Sequence, residues 1–152
     1  FKELLPYFDL GFLSFWLGWA IGRLGCFFIH DHPGRLTNSF LAVNFSSGSR
    51  FDLGFLEVII SLGVFIITAL SFKYLIKKGW GKVAGCSLAL YAVVRFCLDF
   101  LRATDLPFSD PRYGGLTPAQ WGMIGILAIL TFVLLKSNIG KQKINGEVAY
   151  SH

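Results

Sequence analysis

The chain of 152 residues is 54% hydrophobic and 16% aromatic, only 15% of its residues are charged, and its formal net charge is +5. A mean hydropathy of +0.59 excludes an ordinary soluble domain and predicts an integral membrane protein. The basic residues lie beside or within apolar runs and form no exposed stripe, which argues against nucleic acid as a partner.

Four apolar stretches are each near the length of about 20 residues that a helix needs to cross a bilayer. They cover residues 10–29, 55–72, 83–101 and 119–135. We therefore predict an all-α, polytopic membrane protein of about four transmembrane helices with loops on its outer face. The transmembrane domain would cover residues 1–139, and residues 140–152 would form a polar cytoplasmic tail. Because the chain begins with Phe1 and no signal-peptide pattern precedes the first stretch, we interpret it as a fragment that lacks an N-terminal part.

Lysines follow the second and the fourth stretch with almost no acidic residues to balance them. By the positive-inside rule, these segments and the C-terminus are cytoplasmic, so residues 30–54 and 102–118 face the opposite side. Both outer segments are rich in turn-forming residues, such as HDHPGR at 30–35 and SSGS at 46–49. They are predicted to be loops.

Ionisable residues lie inside the apolar stretches, where a purely structural helix would not carry them. Arg23 and Arg95 are each predicted to lie about 20 Å from the inner face of a core about 30 Å thick. Asp99 and Arg102 share a helix face with Arg95, while Glu57 and Gln120 open the second and fourth stretches. These groups would converge on one layer and line an outward-facing pocket. Arginine forks suit phosphate, so a phospholipid head group is the simplest ligand.

Other interpretations of these residues stay open at this point. Arg95 and Asp99 could merely neutralise each other, and Arg23 could extend toward the membrane surface. His30 and His32 could act as bases or be ordinary hydrogen-bonded loop histidines. The three cysteines follow no metal-binding or disulfide spacing, so we predict neither kind of site.

Three blocks of the sequence resemble the bacterial prolipoprotein diacylglyceryl transferase family. GRLGCFFIHDHPGR, from Gly22 to Arg35, is similar to the family signature GRxGNFxNGExxG. YAVVRFCLDFLRATD, from Tyr91, is similar to a second pattern, Y-x-x-x-R-x-x-x-E-F-x-R-x-P-D. GLTPAQWGMI resembles the family segment whose Gln opens the last helix, and Glu57 falls where the family has R-H-P-x-Q-L-Y-E.

The resemblance implies transfer of a diacylglyceryl group from phosphatidylglycerol to the lipobox cysteine of a prolipoprotein, in the bacterial inner membrane with the pocket toward the outer leaflet. It implies no cofactor and no metal. Arg23 and Arg95 would hold the phosphate and help the glycerol phosphate depart, and Asp31 stands where the family has a functional Glu. The other residues assigned to substrate binding are Gly25, Cys26, Gly34, Glu57, Asp99, Arg102 and Gln120.

The chain also departs from the family pattern. Cys26 replaces an Asn, His30 and Asp31 with the following His32 replace Asn-Gly-Glu, and the His-Gly-Gly motif of the family's N-terminal half is absent. We therefore hypothesise that His30 or His32 supplies the base. A noncatalytic lipid-binding or assembly protein that retains the pocket is the main alternative. A transporter is disfavoured because the inner halves of the second and fourth stretches carry no charge.

Overall fold

The structure, a computed structural model, describes residues 2–107 and 109–149, with side chains described for residues 3–107 and 109–136. A short 3-10 helix (Lys2–Leu4) leads into α1 (Leu5–Ile29). After a small sheet, α2 (Leu53–Lys77) and α3 (Lys82–Leu98) follow, with a 3-10 turn (Asp99–Leu101) at the end of α3. The last helix is α4 (Pro118–Ala149).

All four helices are long and apolar enough to cross a membrane. This confirms the prediction of a mostly helical membrane protein with four spans. The helices extend beyond the predicted stretches, since α1 starts five residues before Leu10 and α2 ends five residues after Phe72. α4 continues through Lys136 to Ala149, so residues 140–149 of the predicted polar tail are helical. Residues 150–152 of that tail lie outside the described residues.

A three-stranded antiparallel sheet occupies most of the segment between α1 and α2. Its strands are β1 (Pro33–Leu36), β2 (Ala42–Phe45) and β3 (Gly48–Asp52), in the order β1-β3-β2. The prediction of a loop across residues 30–54 is therefore wrong for these strands, although Ser46 and Ser47 do form the turn between β2 and β3. Strands of four or five mixed residues lack the alternation that would identify them in sequence.

The sheet is fixed against the segment that follows α3. An ideal Cβ on Gly34 would lie 2.9 Å from the carbonyl oxygens of Leu101 and Phe51 and from Phe51 Cβ. Gly34 also forms an isolated antiparallel bridge with Arg102. Only a residue without a side chain permits so close an approach of two backbones, so the sheet and the end of α3 form one packed unit.

The helices pack in chain order, with α2 against α1, α3 against both, and α4 against α3. Trp16, Val64 and Tyr91 form the buried centre of the first three helices. At the end of α1, His30 adopts a left-handed backbone conformation (φ 51°) and donates its N–H to the Phe27 carbonyl. This cap ends the helix and reverses the chain, so residues 31 and 32 lie close to the last turns of α1.

Asp9 connects α1 to the start of α3 at the end of the bundle away from the sheet. Its carboxylate is fully buried and accepts hydrogen bonds from the backbone N–H groups of Gly81 (2.7 Å) and Ala84 (2.9 Å). These are among the N–H groups that a helix start leaves without a partner. Asp9 therefore acts as an N-cap supplied by another helix.

Replacing Asp9 with alanine is expected to lower the free energy of unfolding by about 1–2 kcal/mol, because both N–H groups would lose their acceptor. Thermal unfolding in detergent measures the change. Glu3→Ala, at an exposed acidic residue in the 3-10 helix before α1, is the matched control and should unfold as the wild type does. Equal stability of the two variants would contradict the capping role.

The sheet is also joined to residues 102–107 by Arg50. Its guanidinium is 2% exposed and donates to the Asp105 carboxylate at 3.0 and 2.5 Å and to the Gly34 carbonyl at 3.1 Å. These hydrogen bonds hold the pKa of Asp105 below its ordinary value and raise the pKa of Arg50. The pair is thus fully ionised at neutral pH.

Because the pKa of Asp105 is lowered by folding, the pair contributes stability above the ordinary Asp value of about 4 and loses it as the pH falls through the lowered value. Asp105→Asn is therefore expected to destabilise the protein at about pH 7 and to have little effect near pH 2 to 3. Measuring the free energy of unfolding of the wild type and of Asp105→Asn across this pH range tests the prediction. A stability difference between the two proteins that increases as the pH falls would contradict it.

Candidate functional site

The site is built where four helix ends meet beside the sheet. Arg23 lies near the end of α1, Glu57 near the start of α2 and Arg95 in the last turn of α3. Glu57, which is 1% exposed, lies between the two arginines: Arg23 Nε is 3.0 Å from Glu57 Oε2, and Arg95 Nε is 3.2 Å from Oε1. One buried carboxylate thus bridges guanidinium groups from two other helices.

The charges continue in alternation along the end of α3. Arg95 donates to Asp99 at 2.7 Å, and Arg102 Nε lies 3.3 Å from the same Asp99 oxygen. Arg102 also pairs with Asp110 in the loop before α4. Arg95 and Asp99 therefore do neutralise each other in part, but within a larger network in which Arg23 turns toward Glu57. Three arginines face two buried carboxylates, and Asp110 lies at the exposed end.

Gln120 supports this network from α4 without entering it. Its side chain is fully buried, accepts from the Thr117 backbone N–H at 3.0 Å and donates to the Phe96 carbonyl at 3.2 Å. The Thr117 hydroxyl in turn donates to Asp99. Gln120 therefore fixes Thr117, and Thr117 helps to hold the carboxylate that binds Arg95 and Arg102.

Two aromatic residues, Tyr91 and Trp19, complete the site, although neither was predicted from the sequence to belong to it. The Tyr91 hydroxyl donates to Glu57 at 2.8 Å and accepts from Trp19 Nε1 at 3.1 Å. The Arg23 guanidinium lies over the Trp19 ring, 5.0 Å from its centre. Tyr91 is one helical turn before Arg95, and Trp19 one turn before Arg23, so their positions on the same faces were a usable signal.

Two arginine nitrogens in the network have no well-aligned acceptor among the described residues. Arg23 Nε and Arg102 Nε are buried and lack a hydrogen bond of good geometry, although each has a carboxylate oxygen within 3.3 Å. Buried N–H groups normally have aligned partners. The two Nε atoms are therefore held to the carboxylates by charge attraction more than by aligned hydrogen bonds.

On its other side, Arg23 contacts the residues that differ from the family pattern. Arg23 Nη1 lies 3.2 Å from His32 Nε2 and 3.6 Å from Cys26 Sγ. His32 Nδ1 is 3.5 Å from Asp31 Oδ1. Because guanidinium only donates, His32 Nε2 is an acceptor here, and a neutral His32 carries its proton on Nδ1, toward Asp31.

Three of the residues that were predicted from the sequence to belong to the site lie outside the charged network. His30 bonds to Asp52 at 2.6 Å and has ring contacts with Phe27 and Phe45. Because Asp52 also caps α2 through the Phe55 N–H, His30 belongs to the junction of α1 and α2. Gly25 is exposed on α1, where an added Cβ would contact nothing. Gly34 is confined between backbones, as described above.

Two cavities adjoin Arg23 and Arg102. The first is a mostly apolar groove of about 540 Å³ on the outer face of α1, and its lining includes Trp19, Gly22, Arg23 and Cys26. The second is a polar cavity of about 550 Å³ between the sheet and the loop after α3, and its lining includes Asp31, His32, Arg102 and Asp110. The charged network thus borders an apolar groove on one side and a polar cavity on the other.

Comparison with known proteins identifies relatives over nearly the whole chain. A family model described as prolipoprotein diacylglyceryl transferase matches residues 2–136. A phosphatidylglycerol–prolipoprotein diacylglyceryl transferase 1 of Clostridium perfringens is 29% identical over 95% of this chain and 57% of its own length. Enzymes named phosphatidylglycerol–prolipoprotein diacylglyceryl transferase from Campylobacter hominis (29% identity, 95% of this chain, 52% of the relative) and Campylobacter lari (31%, 88% and 46%) also match.

This chain therefore spans about half the length of the curated relatives it matches. No solved structure matches it significantly. The match of the family model to residues 2–136 covers most of the chain, and this chain belongs to the prolipoprotein diacylglyceryl transferase family.

Proposed function

We propose that the complete protein transfers a diacylglyceryl group from phosphatidylglycerol to the lipobox cysteine of prolipoproteins. The observation that carries the proposal is the pairing of Arg23 and Arg95 on one buried carboxylate, Glu57. Guanidinium groups held this way are fixed before a ligand arrives, which is the arrangement that favours an anionic transition state.

In this proposal Arg23 and Arg95 bind the lipid phosphate and stabilise the departing glycerol phosphate. The layer can accept an anion, because only two of the carboxylates that face its three arginines are buried, Glu57 and Asp99, and the third, Asp110, lies at the exposed end. The side chains of Arg23 and Arg102 are 19% and 20% exposed, so their outer N–H groups can also donate to a phosphate. Gln120, through Thr117, would keep Asp99 in place when the ligand binds.

The acceptor thiol has to lose its proton, since a cysteine with a pKa near 8.5 is only a few per cent thiolate at about pH 7. We assign this step to Asp31 and His32, because they lie beside Arg23. His30 is less suited, since its Nδ1 is engaged with Asp52. A phosphate that draws Arg23 Nη1 away would also free His32 Nε2.

The apolar groove along α1 gives the lipid a route to Arg23 from within the bilayer. In the proposed orientation the sheet and the site face the outer leaflet of the inner membrane, and the C-terminus is cytoplasmic. The lysines between α2 and α3 lie at the opposite end of the helices from the site, in agreement with the positive-inside rule.

The test is to incubate the complete protein with phosphatidylglycerol and a lipobox peptide and to measure the peptide by mass spectrometry. The proposal predicts a diacylglyceryl adduct on the cysteine peptide and none on the matched serine peptide. Lipid bound without any adduct would favour the noncatalytic lipid-binding alternative and would contradict the transferase.

A further inference from the structure

A groove lies between α2 and α3 in the half of the bundle away from the charged network. It has a volume of about 200 Å³, and its lining includes Thr68, Ser71 and Tyr74 of α2 and Cys86 and Ser87 of α3. Thr68 and Ser87 are buried and form its floor, whereas Tyr74 and Cys86 are exposed at its edges. The α2–α3 groove therefore opens on the outer surface of the helix pair, where a spanning helix contacts lipid.

Two lysines stand at the end of the α2–α3 groove. Lys78 caps α2 one turn after Tyr74, and Lys82 begins α3 one turn before Cys86. The Lys78 ammonium lies over the Tyr74 ring, 4.4 Å from its centre. Because residues one turn apart share a helix face, each lysine continues one side of the groove toward the membrane surface.

The charge around these lysines is not balanced within their own segment. Residues 73–82 contain four lysines and no acidic residue. Asp9 contacts this segment, but its carboxylate already accepts from the backbone N–H groups of Gly81 and Ala84. Glu3 lies in the 3-10 helix before α1. The end of the groove is therefore positively charged and suits an anion.

We propose that the α2–α3 groove binds an anionic phospholipid, with its phosphate between Lys78 and Lys82 and one acyl chain in the groove. From Ile67 to Lys78, α2 rises about 16 Å, close to half of a hydrocarbon core about 30 Å thick. The groove thus has the depth of one leaflet. Basic pockets between transmembrane helices on the cytoplasmic side are suited to anionic head groups.

This lipid is distinct from the one in the proposed reaction. Lys78 is 21 residues after Glu57, a distance of about 30 Å along a helix. In the orientation proposed above, the α2–α3 groove lies in the cytoplasmic leaflet, whereas the charged network lies in the outer one. The inference therefore does not depend on the transferase activity.

The positive-inside rule explains why lysines occur in this segment but not why two of them align with a groove. Lys73 and Lys77 satisfy the same rule. Each directly precedes a residue on the groove side, Tyr74 or Lys78, and is turned from it by about 100° around α2. A specific lipid site depends on Lys78 and Lys82, whereas diffuse attraction depends on all four lysines alike.

Native mass spectrometry of the complete protein in detergent, with added phosphatidylglycerol or phosphatidylcholine, tests the inference. Arg23→Gln is used as the background because it weakens the other proposed phosphate site. We expect this protein to retain one phosphatidylglycerol in preference to phosphatidylcholine, and the pair Lys78→Gln and Lys82→Gln to reduce the preference at least about tenfold. In the wild type, the same pair should lower the number of retained phosphatidylglycerol molecules from two to one.

The pair Lys73→Gln and Lys77→Gln removes the same charge and is the matched control. It should change the preference by no more than about twofold, because attraction at a distance is screened by salt. An equal loss in the two lysine pairs, or no loss in either, overturns the site.

A second pair of variants tests the acyl chain. Cys86→Phe fills the groove while both lysines remain, and should weaken retention of this lipid at least about fivefold. Cys97→Phe, at an exposed cysteine of the same helix, should not. Thermal unfolding without lipid checks that each variant is folded. Undiminished retention by Cys86→Phe overturns the placement of the chain in the groove. Since no reading involves transfer to a thiol, none of these results decides the proposed function.

Discussion

Replacing Arg95 with glutamine is expected to slow diacylglyceryl transfer by the complete protein by about 100-fold or more. Glutamine has a similar reach but no charge, so the negative charge that develops on the departing phosphate loses a fixed counterion. The rate of adduct formation per folded molecule, followed by mass spectrometry, is the measurement. A rate within a factor of about two of the wild type would contradict the assignment of Arg95.

This variant needs a control for folding, because the buried carboxylates Glu57 and Asp99 would each lose one of their two arginine partners. Loss of one member of a buried ion pair typically costs about 3–5 kcal/mol, so unfolding must be measured alongside the rate. Arg95→Lys keeps the charge but not the two-pronged geometry and should retain more activity than Arg95→Gln. Arg35→Gln, at an exposed arginine of β1, should have the wild-type rate.

A second large effect, on the stability of the fold, is expected when Gly34 is replaced with alanine. In Gly34→Ala the new methyl group would meet two carbonyl oxygens and Phe51 Cβ at 2.9 Å, and backbone atoms cannot rotate away as a flexible side chain can. We expect a loss of about 1–3 kcal/mol in the free energy of unfolding and faster proteolysis between residues 33 and 52. Thermal unfolding and limited proteolysis in detergent measure these two effects.

Gly63→Ala is the matched control for this substitution. Gly63 lies within α2, and an added Cβ there would meet nothing within 4 Å. Alanine also has the higher helix propensity, so this variant should be at least as stable as the wild type. If Gly34→Ala were equally stable, the sheet would not be packed against Leu101 as described.

Hydropathy located the helices because the requirement for apolar residues in a membrane is strong and local. It placed the start of the first span at Leu10, directly after the charged residue Asp9. In the structure Asp9 is buried, and its charge is satisfied by two N–H groups of α3 more than 70 residues away. A single carboxylate with a distant partner carries no local signal.

The candidate site was predictable in part. Counting residues along the helices placed Arg23, Glu57 and Arg95 at one level, and the structure brings these three side chains into contact. That Glu57 would lie between the two arginines depends on how α2 is rotated, which the nearly uniform apolar surface of that helix does not specify. The contacts of Tyr91 and Trp19 depend on the same rotation.

Sequence position alone did not predict which partners the two histidines contact. His30 and His32 are two residues apart, but the left-handed backbone at His30 sends their side chains to different partners. His30 bonds to the cap of α2, whereas His32 contacts Arg23. The same reversal brings His32 to the side of Arg23 that Cys26 also contacts.

If the layer around Glu57 binds the anionic head group of a phospholipid, the lipid preference of the complete protein depends on Arg23. Native mass spectrometry of the complete protein, with Lys78 and Lys82 replaced by glutamine to remove the second lipid site, should show bound phosphatidylglycerol in preference to zwitterionic phosphatidylcholine, with the preference reduced at least about tenfold in Arg23→Gln and unchanged in Arg35→Gln. Equal binding of the two lipids, or an undiminished preference in Arg23→Gln, would show that this layer does not bind the head group.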